Sequence, residues 1–132
     1  MAIYDNLPVY KAAYDLLLDV YKDNINLPRS YRYTLGEKLQ LGLTDLLVCI
    51  YKANSSEELK EENLRLARER LAEVKLYFRL LFDLAQISQK RFIDYSEKNE
   101  NLSKQLAAWY KSTITKKAKQ DESSLFSDES AE

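Results

Sequence analysis

Apolar residues recur at spacings of three and four along most of the chain, and the rhythm breaks near residues 26, 55 and 88. In the first run, Tyr10, Ala13, Tyr14, Leu17, Leu18, Tyr21 and Ile25 gather on one face at about 100° per residue. Lys11, Asp15, Asp19, Lys22 and Asp23 take the other face, which predicts a helix over 8–25. The second run, 28–53, has a seam of Leu35, Leu39, Gly42, Leu46, Cys49 and Ala53, widened by Leu43, Leu47 and Ile50. The third, 57–88, is the most regular: Leu64, Ala67, Leu71, Val74, Phe78, Leu81 and Ala85 alternate by three and four. Tyr77, Leu80 and Leu84 widen it beyond a two-stranded seam. The fourth, 89–115, repeats the alternation with Phe92, Tyr95, Asn99, Leu102, Leu106 and Trp109, and Asn99 reads as a register-fixing polar member.

The breaks carry end signals. Asn-Leu-Pro occurs at 6–8 and again at 26–28, so that each Pro suits a first helical turn and Asn6 or Asn26 can cap. Ser55 or Ser56 caps the third helix, whose first-turn Glu57 and Glu58 complement its positive end. Ser88 either ends that helix or caps the next. Thr34 and Glu37 have the spacing of a capping box, which offers a second start for helix two. Gly36, inside a helix, costs about 1 kcal/mol of propensity and marks a close approach by a neighbour.

Links this short imply antiparallel neighbours. The expected fold is all-α: an up-down-up-down four-helix bundle over residues 1–117, followed by an acidic tail at 118–132. A long antiparallel hairpin that dimerises, and a bundle that assembles further through spare aromatic surface, are the alternatives. With two Gly and two Pro in 132 residues, a many-turned β fold is excluded.

The side-chain inventory removes most catalytic chemistry. There is no His and one Cys, so Ser-His-Asp and Cys-His nucleophiles and nearly all zinc sites are excluded. No phosphate-cradling Gly-rich motif occurs, and neither an enzyme activity nor a cofactor or metal is expected. Cys49, in the run Leu-Leu-Val-Cys-Ile-Tyr, reads as a buried inert thiol, and a lone cysteine fits a reducing cytoplasm. The N-terminus lacks the basic and apolar regions of a secretory signal, and no stretch reaches about 18 uncharged apolar residues, so neither export nor a membrane span is expected.

A net charge of −1 conceals an uneven distribution. All 20 Lys and Arg precede residue 120, whereas five of the 21 acids follow it, so the body carries +4 and the last twelve residues −5. That end reads as a solvated tail, which either confers solubility or covers a basic surface until a stronger polyanion displaces it. Leu125 and Phe126 within it offer a docking point for a partner. Around the third helix, Arg65, Arg68, Lys75 and Arg79 share a sector of about 80° flanking the apolar seam. Arginines there suit bidentate phosphate contacts, and a salt-bridged surface is the bland alternative, with Arg65–Glu69 and Arg79–Asp83 at i,i+4 spacing.

Taken in order, the segments NLPVYKAAYDLLLDVY, LPRSYRYTLGEKLQ, LLVCIYKAN, RLAEVKLYFRLLFDL and ISQKRFIDYSEKNENLSKQLAAWYKS resemble the accessory variability determinant family of diversity-generating retroelements. That family sits within a wider group of small four-helix-bundle proteins, including those encoded in intervening sequences of bacterial 23S ribosomal RNA genes. The resemblance spans residues 7–112. It implies a homo-oligomer, a five-fold barrel with a basic surface, that carries no polymerase chemistry itself. It implies binding to the retroelement's reverse transcriptase and to RNA and DNA in support of mutagenic reverse transcription, without a membrane or a small-molecule substrate. The basic positions in matching segments become the expected contacts: Arg29 and Arg32 at the entry to helix two, Arg65, Arg68, Lys75 and Arg79 on helix three, and Lys90, Arg91, Lys104 and Lys111 on helix four. Trp109 reads as a core or interface anchor, and some of the ten tyrosines as residues between subunits. The alternative function is a structural oligomeric scaffold of the wider group with no retroelement role.

Overall fold

A computed structural model describes the backbone of residues 7–130 and side chains to residue 123. The Asn6 cap, Ala131 and Glu132 lie outside the described residues, as do the side chains of Leu125 and Phe126. The described chain is helical with no strand: α1 (Pro8–Asn24), a short α2 (Arg29–Tyr31) passing through a π-helical stretch (Arg32–Gly36) into α3 (Glu37–Ser55), then α4 (Lys60–Asp83) and α5 (Gln89–Ser130). Each long helix packs on the next, and α5 closes the ring against α1. Asp45 pairs with Arg70, Phe78 with Tyr95 and Asp19 with Lys98, so neighbours run antiparallel around a helical bundle.

The core follows the expected seams in α3, α4 and α5. Leu39, Leu43, Leu46 and Ile50 of α3 meet Leu64, Ala67, Leu71, Val74, Phe78 and Leu81 of α4, with Tyr95, Leu102 and Leu106 of α5 closing the layer. Cys49 lies at its edge, and burial pushes its thiol pKa up, away from reactivity. In α1 the expected face is corrected. The inward residues are Val9, Ala13, Leu16 and Val20, while Tyr14, Leu18, Tyr21 and Ile25 are exposed, Ile25 at 72%. The helix carries two apolar faces, and the larger tyrosines lie on the outer one.

Both glycines mark close approaches. A Cβ at Gly42 would stand 3.1 Å from Val74 Cγ2, and one at Gly36 would stand 3.0 Å from Asn24 Nδ2. The buried Asn24 amide donates to the Gly36 carbonyl at 2.9 Å, tying α1 to the π turn. Gly36→Ala should therefore lower stability by about 1–2 kcal/mol in urea unfolding, because displacing a buried hydrogen-bonded amide outweighs the gain in helix propensity. A neutral result would show that Asn24 rotates aside freely. The capping box is not made: Thr34 Oγ1 donates to the Ser30 carbonyl at 2.6 Å, inside a helix already under way. Pro8 does occupy the first turn of α1, whereas Pro28 is the N-cap of α2.

Ser88 accepts from Arg91 N at 3.0 Å and caps α5, whereas the expected serine cap of α4 is corrected: Ser56 accepts from Leu59 N at 3.3 Å only within the turn before the helix, whose N-cap Leu59 has no side-chain bond and whose first-turn acids are Glu61 and Glu62. The third helix ends at Asp83, short of Ser88, and Ala85 is no seam residue. Gln86 N bonds to Leu81 O and Ala85 N to Phe82 O, a Schellman close that puts Ala85 at φ 58°. An alanine there is strained, and Ala85→Gly should raise stability by about 0.5–1 kcal/mol, read as a higher urea midpoint. A lower midpoint would mean that the unfolded-state entropy of glycine prevails. Where the sequence pattern stops near 115, α5 instead continues to Ser130, so the acidic segment begins as helix projecting past Lys117, which pairs with Glu61 at 2.9 Å.

Candidate nucleic-acid interface

The basic sector read on the third helix becomes one lip of the groove between α4 and α5. Arg65, Arg68 and Lys75 line a cavity of about 490 Å³, and Lys75 and Arg79 line a second of about 300 Å³ beside it. The two cavities share Lys75, Asn99 and Glu100. Tyr110 and Ala72 contribute to the first and Phe78 and Phe92 to the second, so cations alternate with aromatic and apolar surface along the groove.

These four cations are not equivalent. Arg65 is held between Glu62 and Glu69, each at 2.6 Å, and its pKa is raised first by the Glu62 hydrogen bond. Arg79 pairs with Asp83 at 3.0 Å and lies 6.0 Å from the centre of the Phe92 ring. Arg68 lies 5.3 Å from the centre of the Tyr110 ring, and neither it nor Lys75 has a carboxylate partner among the described residues. Exposed ion pairs are worth only about 0–1 kcal/mol, so a phosphate can compete for Arg65 and Arg79. Arg68 and Lys75 are open to one without that competition.

The other expected contacts are dispersed. Arg29 stacks over Tyr33 at 5.9 Å on the exposed turn of α2. Arg32 is half-buried and donates to the carbonyls of Ile25 and Leu27 at 3.0 and 3.1 Å, which makes it a clamp on the link leaving α1. Lys90 is exposed at the start of α5, and Lys104 and Lys111 lie two turns apart on one exposed side of the same helix. Arg91 turns inward to Asp23, with Nε to Oδ2 at 2.5 Å.

Arg91 belongs to a polar seam between α1 and α5 that periodicity missed. Asp23 accepts from both Arg91 and the Tyr95 hydroxyl, and Lys98 bridges Asp19 at 2.7 Å and Asp94 at 3.1 Å. Asp19 and Asp23 lie on the polar face of α1, yet they are half-buried against α5 and not turned to solvent. Burial first, then the bond to Asp23, pushes the Tyr95 phenol far above its ordinary range. The bond to Asp23 raises the Arg91 guanidinium, and that to Asp19 raises the Lys98 ammonium.

An alkaline instability follows. The unfolded chain loses the Tyr95 proton near pH 10, and the native state keeps it. Above that pH the unfolded state binds fewer protons, so stability falls as pH rises. Lys98 acts in the same direction: its contribution is full below its unfolded pKa and is lost as pH rises through the folded one. Urea unfolding should lose about 1 kcal/mol between about pH 10 and 11, and Tyr95→Phe should flatten that slope. An equal slope in the variant would remove the buried phenol as its cause.

Among solved structures the fold has a counterpart. A protein of unknown function from the S23 ribosomal protein family of Bacteroides thetaiotaomicron matches with a TM-score of 0.72 at 15% identity, covering 83% of this chain and 99% of its own. At that identity the likeness establishes the shared helical fold. No protein-family model matches the chain, and no curated protein sequence matches it significantly. No described helix is long and apolar enough to cross a membrane.

Sequence reasoning thus located one lip of the groove. It missed the facing lip on α5, formed by Ser96, Glu100, Ser103 and Tyr110, and the floor at Asn99. Ser96, Asn99 and Ser103 fall at spacings of three and four, a small-polar stripe beside the Leu102 seam that was available as a signal.

Proposed function

We propose that this chain is a non-catalytic accessory subunit of a diversity-generating retroelement, of the accessory variability determinant type. It binds the reverse transcriptase and the template RNA or its cDNA and so supports mutagenic copying. The observation that carries the reading is the pair Arg68 and Lys75, without a carboxylate partner among the described residues, on a groove that also presents aromatic rings. The resemblance over residues 7–112 supplies the context, and the absence of His and of a phosphate-loop motif accords with an accessory role.

The same reading includes self-association, as a pentamer. It is supported by the outer face of α1, where Tyr14, Leu18, Tyr21 and Ile25 follow one another by four, three and four residues, and by exposed Leu41, Val48 and Tyr51 on the neighbouring α3. That face equally serves a structural scaffold of the wider group, which is the second reading; the S23-family neighbour fits it.

The deciding experiment mixes the purified protein with its cognate reverse transcriptase and template RNA. A complex that weakens steeply with salt is expected. An oligomer that meets neither partner at low salt would leave the scaffold, as would the lack of a reverse transcriptase gene and repeated template region beside its own.

A further inference from the structure

The ion pairs of the groove leave Asn99 unexplained. It sits on α5 among Tyr95, Leu102 and Leu106, is only 5% exposed, and its amide nitrogen is buried with no hydrogen-bond partner among the described residues. Native proteins rarely keep such a donor without a use for it. The side chain lines both groove cavities, whose volumes fall at the lower end of the range of ligand pockets. A register-fixing asparagine would be bonded within the bundle, and this one is not.

An amide offers donors and an acceptor in one plane, the complement of a nucleobase edge. Around it, Phe78 and Phe92 give the smaller cavity apolar walls, while Lys75 lines both cavities and Arg68 the larger. Glu100, on the facing lip, repels phosphate there and keeps a backbone to the α4 side.

We propose that this groove takes an unstacked nucleobase of a single-stranded polynucleotide, its edge on the Asn99 amide and its flanking phosphates on Lys75 and Arg68. The proposal rests on the nucleic-acid reading above and narrows it: the site selects single strands, because a duplex keeps its bases stacked and paired.

The test compares a short single-stranded RNA, the same sequence as a duplex, and a mononucleotide, each titrated at low salt by fluorescence or calorimetry. The wild-type protein should prefer the single strand. Asn99→Leu, similar in size and without the amide, should weaken single-strand binding about tenfold and leave duplex binding unchanged. Ser103→Leu, at an exposed position on the lip, should narrow the larger cavity and give a similar loss, so the outcome does not depend on Asn99→Leu folding. Equal single-strand affinity in the wild type and the Ser103→Leu variant would overturn the site and leave the broader reading standing. A mononucleotide that binds as tightly as the oligonucleotide would overturn the polynucleotide as its occupant. No binding of any RNA by the wild type would overturn both.

Discussion

Glutamate at both Arg68 and Lys75 is expected to lower the affinity for single-stranded RNA about 100-fold at low salt, near 2.7 kcal/mol. The size of the effect follows from what surrounds each cation on the groove. Arg65 already faces two glutamates and Arg79 an aspartate, so much of their field is spent within the protein. Arg68 and Lys75 have no such partner among the described residues, and a phosphate would meet their charge undiminished. Reversal removes two attractive contacts and adds two like charges beside the same backbone. The dependence of log affinity on log salt should fall by about two at the same time, because two fewer counterions are released. Both side chains are exposed, so helicity and thermal stability should change little. Anisotropy titrations over a range of salt would check both quantities. An unchanged affinity with an unchanged slope would remove this groove from RNA binding, whatever else the protein does. Reversing Lys104 and Lys111 on the outer side of α5 makes the matched control, with a smaller loss expected.

The contrast between α4 and α1 shows what could be read in advance. Along α4 the strict three-four alternation of Leu64, Ala67, Leu71, Val74, Phe78 and Leu81 declares the core and is buried, whereas Leu80 and Leu84, expected to widen that seam, stay exposed. Along α1 two apolar faces compete, and periodicity fixes the phase of a helix without saying which face its neighbours cover. Bulk favoured Tyr14, Tyr21 and Ile25, yet the face of Val9, Ala13, Leu16 and Val20 turns inward. The end of α4 was illegible for another reason. Its left-handed residue is Ala85, without the glycine that normally announces one. In α5 the apolar period stops near residue 115, which argues for a solvated tail beyond it, and the helix continues to Ser130 regardless. The candidate site divides in the same way. Local spacing exposed the basic sector and its Glu69 and Asp83 partners, all within one helix. It could not reveal that Asp23 reaches Arg91 across 68 positions, or that Asn99 ends without a partner, since both depend on how two helices are set against each other.

Alanine at Phe78 is expected to cost about 3–5 kcal/mol, enough to leave a small bundle close to its folding threshold. The ring is 2% exposed and stacks on Tyr95 with centroids 4.3 Å apart and planes inclined by 12°. Truncation loses the transfer free energy of a buried ring together with that stacking, itself worth about 0.5–1.5 kcal/mol. The void cannot close easily. Tyr95 is the natural candidate to fill it, but its hydroxyl is bonded to Asp23, which also holds Arg91, so the ring stays anchored toward α1. Phe78 also lines the smaller groove cavity, and its removal would extend that space into the core. Phe78→Leu, which keeps most of the volume, should cost roughly 1–1.5 kcal/mol. If Asp23 is what prevents collapse, Asp23→Asn should reduce the penalty of Phe78→Ala, and the double mutant should depart from additivity by at least about 0.5 kcal/mol. Urea unfolding of the two single variants and the double variant measures this directly. A Phe78→Ala loss below about 1.5 kcal/mol, or strict additivity with Asp23→Asn, would mean that Tyr95 is free to move and that the α1–α5 seam does not brace the core beneath the groove.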